Sequence, residues 1–273
     1  QWPSSAASDV YKRQTQLAEY FPDSLIIANE TDKKRLPQLY ENLDRMDHPN
    51  ICVTNYDGRY YQHFPEMFDA ILLDAPCSGE GCAFKTPEAL RNWHIKNIRR
   101  IAKLQYQLFL TAYHALKPWG LLMYSTCTLN EEENEGVVAK ALKKIQSLKF
   151  KVQNDEEKHS EFWILNSEFL EPLGSRRLWP HETGTGGFFY AAFQKTSSPG
   201  SKTGWQDSSP GSEVVPPKNN ILPAIQSQKD EINFDESQGH LYAFKKDRYV
   251  CSHDVSNLME KLYFTKVGKT LKW

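Results

Sequence analysis

The sequence predicts an α/β chain built on a doubly wound, largely parallel sheet. Three observations predict it: short continuous apolar runs that end in chemically active residues, longer stretches of helical spacing between them, and enough apolar and aromatic residues to fill a core. The 273 residues are 40% hydrophobic and include 7 Trp, 13 Tyr and 14 Phe, which suits one sizeable domain plus an appendage.

The runs come in order. Residues 25–28 (Leu-Ile-Ile-Ala), 51–54, 70–73 (Ala-Ile-Leu-Leu) and 121–124 (Leu-Leu-Met-Tyr) read as strands buried on both faces. Between them, residues 31–46 place Leu36, Leu39 and Leu43 at helical spacing, with Pro37 marking a late start or a kink. Residues 97–116 carry Ile98, Ile101, Leu104, Leu108 and Ala112 on one stripe, and Lys117-Pro118-Trp119-Gly120 is expected to stop that helix. Residues 131–148 have acids at the start and lysines towards the end, as the helix dipole prefers. Residues 188–193, after Gly186-Gly187, read as a late strand and one half of a hairpin. In such sheets ligands gather at the carboxyl ends of strands. Asp74, Cys77 and Cys127 all lie just past such ends.

Four segments are expected. Residues 1–14 lack periodicity and resemble a junction string found at the ends of assembled reading frames, so they are expected to be non-native. Residues 15–195 form the main domain, residues 196–220, rich in Ser, Pro, Gly and Lys, a flexible linker, and residues 221–273 the start of a second module. No stretch approaches the roughly 18 apolar residues of a membrane span, and the start lacks a signal-peptide pattern. With 33 basic against 34 acidic residues, net charge −1, a nucleic-acid partner must be held by local patches. Five cysteines without a framework of spacings suit reduced thiols in a cytoplasm. A zinc site is not expected, because Cys77 and Cys82 are the only close pair.

Two segments carry the chemistry: Asp74-Ala75-Pro76-Cys77-Ser78-Gly79-Glu80-Gly81, and Ser125-Thr126-Cys127-Thr128-Leu129-Asn130-Glu131-Glu132-Glu133-Asn134-Glu135. A single cysteine after a strand is more often inert packing. Two of them, each in a polar turn with an Asp beside the first, favour a working pair. Together these motifs resemble the RNA 5-methylcytosine methyltransferases, the NSUN and RsmF-type enzymes, and within them the bacterial 16S rRNA cytosine-C5 methyltransferases. The resemblance runs from about Thr15 to Lys195. It implies a Rossmann-like, S-adenosylmethionine-dependent methyltransferase sheet, RNA as substrate (ribosomal first, transfer RNA second) and no metal.

The resemblance also implies roles. Cys127, in the Thr-Cys motif, is the nucleophile that adds to cytosine C6, and Cys77, in the Pro-Cys motif, resolves the adduct. Asp74 contacts the base edge and the cofactor, and its role on the base asks for burial. Glu30, after the first run, suits the ribose hydroxyls of S-adenosylmethionine, and Asp57 the adenine amino group; a helix cap or an Asx turn is the alternative for each. Lys85, in Phe84-Lys85-Thr86-Pro87, matches a substrate-facing basic position, with a solvated lysine as its alternative. His181, Gly187 and Phe188, in the stretch from Trp179 to Phe189, resemble the late motif beside the flipped base, with a hairpin turn and core strand as the alternative. Lys140, Lys143, Lys144, Lys149 and Lys151 could touch phosphates or form a wet helix face. The family's first strand and Gly-rich cofactor loop are expected upstream of Thr15 and are not found. An RNA-binding chain without turnover therefore stands as a different class, as does a reading with Cys77 as nucleophile in the manner of DNA cytosine methyltransferases.

Overall fold

The computed structural model describes residues 9–91, 93–153, 170–196, 222–223, 237, 240–244, 247–251, 253–259, 262 and 264–270. The expected linker falls almost wholly outside them, as do residues 1–8. The chain divides into two compact units, one of residues 1–57 and 209–273, the other of residues 58–208.

In the first unit, helix α1 (Asp9–Tyr20) covers residues 9–14 as well as the predicted part from Thr15. Strand β1 (Ile26–Asn29) runs parallel to β2 (Ile51–Thr54), and α2 (Leu36–Met46) connects them. Pro37 sits in the first turn of α2, where its missing N–H costs nothing, so the helix starts at Leu36 rather than at residue 31. Its three leucines are buried with Ala18, Ala28, Ile51 and Val53, forming this unit's core. Strand β10 (Phe264–Val267) pairs antiparallel with β2, so the three-stranded sheet runs β1–β2–β10. Lys266, 4% exposed, reaches Asp44 Oδ1 at 2.7 Å. The remaining late strands β7 (Leu222–Pro223), β8 (His240–Phe244), β9 (Asp247–Cys251) and β11 (Lys269–Thr270) form an antiparallel sheet of order β11–β9–β8–β7. Strand β10 therefore joins the early parallel pair, because its register on β2 buries Phe264 and Val267.

In the second unit, β3 (Phe68–Asp74) lies parallel to β4 (Leu116–Thr126). Strand β6 (Phe188–Lys195) runs antiparallel to β4 and forms the predicted hairpin with β5 (Leu170–Leu178), for an order of β3–β4–β6–β5. Between β5 and β6 lies the short helix α5 (Pro180–Thr183). Helices α3 (Ile95–Ala115) and α4 (Glu135–Gln153) pack beside each other. The core gathers Phe109, Tyr124, Phe189 and Phe193, with ring centroids of Phe109 5.7 Å from Tyr124 and 5.5 Å from Phe193. Such edge-on aromatic packing adds about 0.5–1.5 kcal/mol per pair beyond burial.

Three expectations are corrected in this unit. Strand β4 is not buried on both faces: Leu122 and Tyr124 are buried while Leu121 and Met123 are exposed. The buried residues of β4 pack against the core that holds Phe109 of α3 and Val137 of α4. Residues 117–120 do not form a stop between elements. The chain passes from α3 straight into β4 at Leu116, and the strain is taken by Trp119, whose φ of 64 coincides with a register shift opposite Phe68 and Ala70. Finally, α4 begins at Glu135 rather than at residue 131, because the preceding acids form a turn with another task. Among the described residues, β1 and β3 each have a ladder partner on one side only.

Candidate functional site: a dithiol held by three interlocked loops

The parallel pairing of β3 and β4 puts Asp74 opposite Ser125, so the two motifs leave the sheet side by side. Ala75 N–H then donates to Ser125 O at 2.9 Å, extending the ladder one residue past the strand. The result brings Cys77 Sγ and Cys127 Sγ to 3.1 Å from each other, both half-buried. All five cysteines are free thiols. Asp74 takes a hydrogen bond from Ser125 Oγ at 3.4 Å. It is exposed rather than buried as expected, because it is the last residue of a strand that, among the described residues, is paired on one side only.

Two glutamates hold the loops. Glu133 is 0% exposed; its carboxylate accepts from Ser78 N–H at 2.9 Å, Gln105 Nε2 at 3.0 Å and Asn130 Nδ2 at 2.8 Å. Gln105 also donates to Pro76 O at 2.8 Å, so α3 fixes the Pro-Cys loop directly. Tyr124 donates its hydroxyl to Glu133 O at 2.6 Å. Glu80 reaches the other way, accepting from Thr128 Oγ1, Leu129 N–H and Asn130 Nδ2, each at 3.0 Å, and from the Trp93 indole. Thr126 Oγ1 donates to Asn134 Oδ1 at 2.6 Å, and Asn134 Nδ2 to Thr128 O at 3.1 Å. A buried polar network bonded this densely fixes one geometry, and breaking it is costly; within it Gln105 Oε1 is buried without a hydrogen-bond partner.

The third loop is the Gly186-Gly187 turn. Gly81 N–H donates to Cys127 O and Gly187 N–H to Gly81 O, both at 2.9 Å, which threads the three loops on one chain of backbone bonds. The approach needs glycine: a Cβ on Gly81 would stand 2.1 Å from Gly187 O, and one on Gly187 2.8 Å from the Leu129 side chain.

The electrostatics set the resting state. The Cys127 pKa is pushed up to about 12, first by its hydrogen bond with Cys77. A hydrogen bond with Cys82 acts the other way, while burial and the nearby Cys77 and Asp74 raise it further. The thiol is thus held protonated and has to lose its proton before it can attack. For Glu80, burial alone would raise the pKa, but the bonds from Trp93, Asn130, Leu129 and Thr128 outweigh it and hold the carboxyl below its ordinary 4.5.

The remaining predicted residues fall into separate places. Gly187 is buried in the loop stack and Phe188 half-buried at the head of β6. His181 is exposed on α5, its ring 6.2 Å from Trp179, and Lys85 is exposed at the end of a 3-10 turn (Glu80–Phe84). Glu30 and Asp57 belong to the first unit, after β1 and β2. Glu30 accepts from Asp32 N–H at 2.8 Å and lies 3.4 Å from Arg35 Nε, so both of its oxygens already have local partners. Asp57 is exposed. The two strand ends are stitched by Asn29, which donates to Tyr56 O at 3.0 Å and accepts from Tyr56 N–H at 2.9 Å. Asn55 reinforces them with bonds to Glu30 O and to Thr31 O. Among the described residues no group of three His, Cys, Asp or Glu is arranged to hold a metal, and no helix is long and apolar enough to cross a membrane.

Sequence reasoning missed Glu80, Asn130, Glu133 and Gln105 as the residues that position the thiols. Glu80, Asn130 and Glu133 were visible inside the motifs. Their signal was acid and amide residues clustered in two loops that a parallel sheet brings together. Gln105 gave none beyond a polar residue on an apolar stripe.

An α/β sheet with two thiols at the ends of adjacent parallel strands defines a class, a Rossmann-like domain with a dithiol centre. A family model described as 16S rRNA methyltransferase RsmB/F matches residues 12–194, and the chain belongs to that family. It is 35% identical over 271 residues to ribosomal RNA small subunit methyltransferase F of Aeromonas salmonicida, covering 96% of this chain and 55% of that protein. With the protein of that name from Shewanella amazonensis it shares 42% identity over 195 residues, 70% of this chain and 40% of the relative. The chain thus spans about half the length of the curated relatives it matches. Among solved structures, it resembles that of PH0851, with a TM-score of 0.51 and 32% identity over 63% of this chain and 37% of the other.

Proposed function

We propose that the chain methylates C5 of cytosine in RNA, with ribosomal RNA as substrate and S-adenosylmethionine as methyl donor, in a reducing, cytoplasmic compartment. The observation that carries the reading is the 3.1 Å approach of Cys77 and Cys127 at the ends of adjacent parallel strands. The cofactor's chemistry is the supply of an electrophilic methyl group. Carboxylates at the carboxyl ends of β1 and β2 match its polar groups, Glu30 for the ribose diol and Asp57 for the adenine amine.

The chain's own residues then divide the work. Cys127, once deprotonated, adds its sulfur to cytosine C6, and the C5–C6 π pair moves to make C5 nucleophilic. After C5 takes the methyl group, Cys77, acting as a thiolate, takes the C5 proton onto its sulfur. The electron pair of that C–H bond restores the C5–C6 double bond as the sulfur–C6 bond breaks, releasing Cys127 as thiolate. Asp74 binds the base edge, and Gly187, Phe188, His181 and Lys85 line the path of the flipped base. Glu133 and Glu80 act only through the loops they position.

Incubation with ribosomal RNA and methyl-labelled donor tests this. The expected result is label in RNA with the native chain, a trapped protein–RNA adduct with Cys77→Ala, and neither with Cys127→Ala. An adduct from Cys127→Ala, or turnover by it, sinks the assignment and favours Cys77 as nucleophile. A second reading, RNA binding without turnover, is favoured by the one-sided pairing of β1 and β3 among the described residues. Calorimetry separates the two: tight S-adenosylmethionine binding supports the enzyme, and its absence with retained RNA binding supports the second reading.

A further inference from the structure

Charge on the second unit is unevenly distributed. Helix α3 has no acidic residue in its 21, and its first three turns expose Lys96, Arg99, Arg100 and Lys103. Helix α4 exposes Lys140, Lys143 and Lys144, and its single acid, Glu135, is bound by Arg177. A chain of net charge −1 that gathers so many cations on two adjacent helices has set aside a positive face.

Between the two helices lies a cleft of about 450 Å³ that includes neither thiol. Arg99, Lys103 and Lys140 line it, with Glu132 as the one acid. Arg99 Nε and Glu132 Oε1 are 3.9 Å apart and both largely exposed, at 69% and 51%, so water screens their attraction. Lys140 Nζ sits 4.7 Å above the ring of Tyr106, which holds that cation at the cleft. Three cations spread over two helices match the regularly spaced charges of a polyanion such as a nucleic-acid backbone.

We propose that this cleft binds the phosphodiester backbone of RNA, as a second contact site away from the thiols. The proposal rests on the RNA reading above. Its place in the fold gives it a purpose. Helix α3 carries Gln105 on its buried face, where it holds Pro76 and Glu133, and carries Arg99 and Lys103 on the face that lines the cleft. Glu132 is the neighbour of Glu133 in the turn before α4. Phosphates held in the cleft are therefore anchored to the helix and turn that position the two thiols. Backbone contacts of this kind set register and carry no base preference.

The test is fluorescence anisotropy of a labelled single-stranded RNA with the whole chain, titrated across a range of salt. The Arg99→Gln/Lys103→Gln/Lys140→Gln variant is compared with Lys103→Arg/Lys140→Arg, which keeps the charge, and with Lys117→Gln on the surface at Asp69. Each lost phosphate contact flattens the plot of log affinity against log salt by about 0.7. The triple variant should thus lose about two from that slope and bind about ten-fold or more weakly at low salt. The arginine variant and Lys117→Gln should keep the native slope. An unchanged slope and affinity in the triple variant overturns the cleft, and so does equal competition by polyglutamate, which would mark an acidic protein as its occupant. If the native chain binds no RNA, the RNA reading falls and the cleft with it. If the native chain binds and the triple variant binds alike, only the cleft falls. Thermal unfolding of the triple variant should match the native chain, since the three side chains are exposed.

Discussion

The loops around the two thiols and the loops after β1 and β2 use the same residue types in opposite ways. Around the thiols, carboxylates reach across the chain: Glu80 bonds residues 48 to 50 positions away, and Glu133 a backbone N–H 55 positions away. After β1, Glu30 turns back on Asp32 and Arg35, its near neighbours. The difference is one of rigidity. Long-range carboxylates weld loops into one rigid frame, which a reaction between two sulfurs and a base requires. A locally satisfied carboxylate at a strand end gives up little when a ligand's hydroxyls take its place.

Breaking the weld should therefore cost far more than breaking the local cap. Glu133→Ala removes the acceptor of Ser78 N–H and one of the two acceptors of Gln105 Nε2, while Asn130 Nδ2 keeps Glu80 and Thr128. At about 1–3 kcal/mol for each of the two donors left unpaired, urea denaturation should show a loss of about 2–6 kcal/mol. Glu133→Gln, which keeps one acceptor, should lose less. Next comes Gly81→Ala. Its Cβ would meet Gly187 O at 2.1 Å, which forces the loops apart, and a loss of about 1–3 kcal/mol is expected in the same measurement. Gly79→Ala sharpens that result: it meets open space and bears only the strain of φ 76, about 1–2 kcal/mol.

Cys77→Ala should act on reactivity rather than on stability. It removes the leading cause of the raised Cys127 pKa, so alkylation of Cys127 by iodoacetamide at fixed pH should become faster. An unchanged rate would mean that the pair is not coupled. For Glu80 the sign is that of a carboxylate whose pKa is lowered in the folded chain. Its stabilisation is present above the ordinary 4.5 and is lost as pH falls through the lowered value. Glu80→Gln should flatten the acid side of the stability-against-pH curve. The smallest effect belongs to Glu30→Gln, where an exposed partner and a local cap predict under about 1 kcal/mol. A loss as large as that of Glu133→Ala would erase the contrast between the two regions.

Much of the fold was legible because burial is written in apolar periodicity. The leucines of α2, the stripe of α3 and the hairpin strand beginning at Phe188 are all set by spacing. The starts of α2 and α4 were less so. Pro37 announced the first, but the turn before Glu135 exists because Glu133 is needed elsewhere, and no local preference records that. The two-sided burial expected of β4 failed for a similar reason: an apolar run states that a strand can be covered, not on how many faces it is.

The sequence by itself nominated the candidate chemistry of this protein. Cys77 and Cys127 sit after apolar runs, in polar turns, and residue type with position is enough to nominate a dithiol. Only the tertiary structure decided that the sulfurs meet at 3.1 Å and that Cys127 rests as a thiol beside its partner. The physical reason is that strand register, set by the whole sheet, carries Asp74 beside Ser125, and hydrogen bonds from α3 and the Gly-Gly turn then fix the two thiol-bearing loops. Local sequence specifies which groups can react; long-range pairing specifies which of them can reach each other.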